Sequence, residues 1–210
     1  MCCIDRLKPQ PKAAIHCAST DSHQELYLST FEYMSVMHSI VLALGIARVL
    51  GGIAGLARDW RRLESKWFFL GWLVLLLALH MGWWFGLWSR FSEMRDITIW
   101  TFFVWFLVPA SFYIASRLLI PEFQERSTPD LGQRFDEVRI PFFACFVLSI
   151  VPVLPGLADA PPTQWLLGVF GVLALIGVFA SDRRWHVALL CLMLATYITF
   201  LALARSSLAN

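Results

Sequence analysis

Six stretches of this chain are so continuously apolar that a helix through any of them has no polar side to turn toward water. They run near residues 31–57, 67–88, 97–120, 140–154, 164–180 and 185–204. A hydrocarbon layer about 30 Å thick is crossed by roughly 20 helical residues. Inside lipid every backbone N–H and C=O must find its partner within the segment, which makes helices of all six. The second and third are the clearest. The fourth and fifth, at about fifteen and seventeen residues, are short and could form one helical hairpin that does not fully cross. The expected fold class is therefore all-α, a polytopic transmembrane bundle of about six spans.

Composition excludes the other broad classes. Of the 210 residues, 58% are hydrophobic and 15% charged, against roughly 45–50% and 25% in soluble domains. A water-soluble enzyme or a disordered regulator is a poor reading of such a chain. Lysine and arginine total 17 against 15 acidic residues, a net charge of +2, which is no footprint for a nucleic-acid partner.

Punctuation separates the spans. Arg58-Asp59-Trp60-Arg61-Arg62 closes the first, Ser92 to Asp96 divides the second from the third, and Pro121 stops the third. Pro152, Pro155-Gly156 and Pro161-Pro162 make a rigid turn between the fourth and fifth. Residues 1–24 form a polar tail that reads as disordered; they lack the apolar run of a signal peptide. Residues 25–210 then form a single transmembrane domain. Cys2, Cys3 and Cys17 lie in the tail, Cys145 and Cys191 in apolar runs, and no Cys/His spacing suits a metal site.

Basic residues near the span ends predict orientation. Arg58, Arg61, Arg62, Lys66, Arg117, Arg126, Arg134, Arg139, Arg183 and Arg184 cluster at the loops after spans one, three and five. The opposite side offers Lys12, Arg90, Arg95 and Arg205. The odd loops, including the long one at 121–139, are expected to be cytoplasmic and both termini outside. Trp60, Trp67, Trp84, Trp88, Trp100, Trp165 and Trp185 fall at span edges, as an interfacial belt requires, whereas Trp72, Trp83 and Trp105 lie deeper and should pack between helices.

No catalytic motif is present: no H-E-x-x-H, no G-x-S-x-G, no glycine-rich phosphate loop and no carboxylate pair within a span. Three ionisable residues do lie inside spans: His38, Arg48 and His80. At 100° per residue, Met34, His38, Val41, Gly45, Arg48, Gly52 and Gly55 share an arc of about 100° on the first helix. Gly51-x-x-x-Gly55 adds a close-approach motif, so Gly45, Gly51, Gly52 and Gly55 are expected to pack helices. Two readings of Arg48 compete. In one, the side chain reaches from a packing face toward the headgroups. In the other it is a fixed cation that, with His38 and His80, receives an anionic lipid or small anion. An unpaired arginine at that depth costs at least about 2.5–3.5 kcal/mol.

A b-type haem held by His38 and His80 is a further test case. The depth difference between the two is about 5 Å counted from span midpoints, or about 10 Å counted from the shared loop. Axial ligands to one iron need similar depth; helix tilt could rescue the first figure but hardly the second, and no cofactor is predicted. In the long loop Asp130 is placed to cap a short amphipathic helix carrying Leu131, Phe135 and Val138, lying on the membrane surface. Asp130, Arg134, Asp136, Glu137 and Arg139 alternate in sign, either pairing locally or docking a cytoplasmic partner through Asp130, Arg134 and Arg139.

The segments SVMHSIVLALGIARVLGGIAGL (35–56), HMGWWFGLW (80–88), FFVWFLVPASFYIASRLLIPE (102–122) and DLGQRFDEVRIPFF (130–143) occur here in that order. This set resembles a group of bacterial multi-pass inner-membrane proteins of unknown function. The resemblance covers about half of the chain and implies an inner-membrane location with no residue role to carry over. The expected function is a non-enzymatic membrane protein with an intramembrane anionic-ligand or lipid site, permease-like or an accessory subunit. The alternatives are a redox protein binding haem or quinone, and a structural or interaction subunit of a homo-oligomer or membrane complex.

Overall fold

The computed structural model describes residues 30–61, 63–91, 98–121, 130–156 and 162–208. The predicted tail, 1–24, and residues 122–129 of the predicted loop lie outside these residues, as do Arg62, Arg95 and Arg126. The described residues form α1 (Thr30–Arg58), α2 (Lys66–Phe91), α3 (Ile99–Leu119), α4 (Leu131–Ile150), α5 (Pro162–Phe179) and α6 (Arg183–Leu208), with a 3₁₀ turn at Val151–Gly156. No strand occurs among them. Five of the helices are long and apolar enough to cross a membrane, and the apolar run of α5, Trp165–Phe179, is shorter. The chain is an all-α helical bundle and an integral membrane protein.

Its surface is that of a body solvated by acyl chains. Phe179 is 79% exposed, Phe85 74% and Ile198 63%, a distribution a water-soluble monomer does not tolerate. The tryptophans sort as their positions predict. Trp67, Trp84, Trp100, Trp165 and Trp185 are exposed, whereas Trp72 and Trp105 are buried and Trp83 is half-buried, stacked on Trp105 with centroids 5.8 Å apart.

The helices close a ring. α1 packs on α2 and α3, α3 on α4, α4 on α5, α5 on α6, and α6 returns to α2. The core is aromatic where α2 and α4 meet. Trp72 stacks on Phe135 at 5.8 Å and takes Phe142 and Phe143 edge-on at 5.3 Å each. Such pairs contribute about 0.5–1.5 kcal/mol beyond their buried area. That matters in lipid, where apolar burial alone does little to draw helices together.

One expectation is corrected. The segment after Asp130 is not a separate surface helix, and the fourth span does not start near Ile140. Asp130 caps the helix, its carboxylate accepting from the N–H groups of Gly132 and Gln133. That helix then continues without a break to Ile150. The reason is packing: Leu131, Phe135 and Val138 are buried, with Phe135 against Phe68, Trp72 and His186. The apolar stripe faces the core rather than the bilayer surface, and the long loop is correspondingly shorter than 121–139.

Side-chain contacts tie the arginine-bearing loops to one end of the bundle. Arg134 at the start of α4 donates to the Leu118 carbonyl at the end of α3, 3.0 Å. Arg139 donates to the Ala180 carbonyl after α5. Arg183 at the start of α6 lies over the Phe68 ring near the start of α2, 5.2 Å from its centroid.

Candidate functional site

The buried face of α1 carries Met34, His38, Leu42, Gly45, Val49, Gly52 and Leu56. This is close to the arc read from the sequence, with Leu42, Val49 and Leu56 in place of Val41, Arg48 and Gly55 as its buried members. Gly52 meets the side chain of Ile120, where a Cβ would fall 2.9 Å from Cδ1. Gly45 meets the imidazole of His80, where a Cβ would fall 2.6 Å from Cδ2. Both glycines are therefore sockets for a neighbouring helix. Gly51 points outward with nothing within 4 Å of a Cβ built on it, and Gly55 is half-buried.

The two histidines do not converge. His80 is fully buried; its Nδ1–H donates to the Leu76 carbonyl at 2.7 Å and its ring lies 5.6 Å from Phe112. His38 is fully buried two turns away along α1. Its Nδ1–H donates to the Met34 carbonyl at 2.8 Å, with Phe102 and Phe106 edge-on at 5.8 and 5.6 Å. Because His80 is seated on Gly45, seven residues from His38, the axial offset is about 10 Å. The His80 edge that would meet an iron is closed by the α1 backbone at Gly45. These residues do not fit a haem between His38 and His80.

Arg48 donates to the Ile120 carbonyl at 2.8 Å. Ile120 is the C-cap of α3, and the last carbonyls of a helix have no partner of their own and carry partial negative charge. Arg134 and Arg139 do the same at Leu118 and Ala180. Three guanidiniums thus sit on the C-terminal carbonyls of α3 and α5. Arg134 also lies 3.8 Å from Glu137. Asp130, Asp136, Glu137 and Glu64, with Arg183, line an open polar groove at this end of the bundle.

Two features escaped the sequence. His186, fully buried, stacks on Phe143 at 5.5 Å and meets Phe135 edge-on at 5.1 Å. Its spacing to Leu189, Leu190 and Met193, all buried, was the available signal. The second is an apolar cavity of about 130 Å³ between α2, α3, α5, α6 and the end of α4. Gly82, Trp83, Gly86, Trp105, Tyr197 and Phe200 are among its walls, and neither His38, Arg48 nor His80 is. It lies away from the arginine-bearing end. The Gly82-x-x-x-Gly86 spacing in the sequence marks a small-residue face of α2 there, but not the void beside it.

No protein family, no curated protein and no solved structure matches this chain.

Proposed function

We propose that this chain is a non-enzymatic integral membrane protein that holds part of a lipid-like molecule inside its bundle, in a permease-like or accessory role. The cavity between α2, α3, α5 and α6 carries the reading. Its volume is close to the roughly 150 Å³ of an apolar cavity known to stay dry and to bind a benzene-sized guest. In this reading Arg48, His38 and His80 hold helices together and the guest sits elsewhere. The lack of any catalytic motif in the sequence supports a role without chemistry. We propose a bacterial inner-membrane location, which is what the resemblance read in the sequence implies.

Native mass spectrometry from lipid nanodiscs tests it. The wild-type protein is expected to carry a lipid-sized adduct that Gly86→Leu loses. Gly86 lines the cavity and a Cβ built on it meets no atom within 4 Å, so the larger side chain starts in open space and takes up cavity volume. Adduct-free wild type, or equal retention by both proteins, overturns the reading.

The proposed orientation places the loops after α1, α3 and α5 in the cytoplasm and both ends of the chain outside, because basic residues near span ends stay cytoplasmic. With native cysteines replaced, Thr98→Cys should react with an impermeant maleimide in intact cells and Ser181→Cys only after permeabilisation. The reverse pattern inverts the topology.

A further inference from the structure

We propose that what this cavity receives is the hydrocarbon tail of a membrane lipid, admitted sideways between α2 and α6, with the headgroup left outside. The inference rests on the cavity reading above and specifies which part of the guest is bound and by which route.

The tail follows from hydrogen-bond chemistry. Three hydroxyls line the cavity, and each has one proton to donate. Ser149 gives its proton to the Phe146 carbonyl at 2.7 Å, Thr196 to Leu192 at 2.8 Å and Tyr197 to Ala78 at 2.6 Å. The Trp83 indole nitrogen has no hydrogen-bond partner among the described residues, but it is buried and so out of reach of an oxygen placed in the cavity. An ester or quinone oxygen placed here would lose its hydrogen bonds without replacement, and a charged phosphate would lose far more. A methylene chain loses nothing. Phospholipid acyl chains and isoprenoid tails share this chemistry.

The route follows from where the packing stops. On the closed side Trp105, Val108, Phe112, Ser149, Ile150 and Val153 are buried. On the other side Gly82, Gly86, Thr196, Tyr197 and Phe200 are half-exposed. The seam between α2 and α6 is fastened twice. Leu190 fills the hollow over Gly71, where a Cβ would fall 2.5 Å from Cδ2, and Tyr197 fills the hollow over Gly82, where a Cβ would fall 3.0 Å from Cζ. One turn further along α2, at Gly86, a Cβ would meet no atom within 4 Å. The fastening ends where the cavity begins, on a face that the surrounding acyl chains solvate.

Photocrosslinking in nanodiscs tests both parts. One phospholipid carries a diazirine at the end of its acyl chain, another a diazirine in its headgroup. Lipid-facing residues label with any tail probe, so the readout is the buried wall, the peptides holding Val108–Phe112 and Ser149–Val153. The tail probe is expected to label that wall in wild type and at least tenfold less in Gly86→Leu. The headgroup probe is expected to leave it unlabelled. Competition by unlabelled isoprenoid alcohol assigns the preferred tail to isoprenoids, and its failure to compete assigns it to acyl chains; either agrees with the proposal. Headgroup labelling of the wall overturns the tail assignment while the cavity reading stands. Wall labelling that survives Gly86→Leu overturns the α2–α6 route. No wall labelling by either probe, together with adduct-free native spectra, overturns the cavity reading itself.

Discussion

The imidazole of His80 rests directly on the backbone of Gly45, leaving no room there for even a methyl group. A buried histidine on one helix and a glycine on the next form a single joint between α1 and α2. Gly45→Ala should therefore lower stability by about 1–3 kcal/mol, the usual cost of overpacking a filled core, despite the better helix propensity of alanine. Gly51→Ala, with open space around it, should be neutral or slightly stabilising. Thermal unfolding in detergent compares the two; equal behaviour would dissolve the joint.

The same joint governs haem. With one edge of His80 closed by Gly45 and His38 two turns away, detergent-purified protein titrated with haemin should develop no low-spin Soret band. Appearance of that band, and its loss in both His38→Ala and His80→Ala, would show that the helices rearrange to bring the rings level.

Arg48 joins α1 to the end of α3 through the Ile120 carbonyl. Arg48→Met should cost roughly 1.5–3 kcal/mol, the range for a hydrogen bond to a charged group, and Arg48→Lys less. Added inorganic phosphate should leave the wild-type melting temperature unchanged, because the guanidinium already serves the helix terminus. A phosphate-dependent rise that Arg48→Met abolishes would restore the anion-site reading.

Tyr197 and Gly82 form the second fastening of α6 to α2. Tyr197→Phe removes the hydrogen bond to Ala78 and should cost about 0.5–1.5 kcal/mol. Gly82→Ala should cost more, since its methyl meets the phenol. The two changes touch one contact, so their effects should not add. In a double-mutant cycle read by thermal unfolding, strict additivity would separate the two residues.

Much of this architecture was legible in the sequence. Continuous apolarity over a bilayer's thickness dictates membrane-spanning helices, because backbone polar groups in lipid have no other partner. The small-residue face of α1 was legible through its period, and the depth of Trp72, Trp83 and Trp105 through their distance from span ends. Asp130 was legible as a cap because a short carboxylate before an apolar-periodic run satisfies free N–H groups.

What only the tertiary structure decided is what those faces meet. A period cannot tell whether the stripe Leu131, Phe135 and Val138 lies on lipid headgroups or on Trp72, since both are apolar enough. Nor can it tell whether Arg48 awaits an anion or serves the carbonyl of Ile120, seventy-two residues away. The cavity was beyond reach for the same reason: it is an absence of atoms between five segments distant in the chain, and it exists only through how their side chains fail to fill the space.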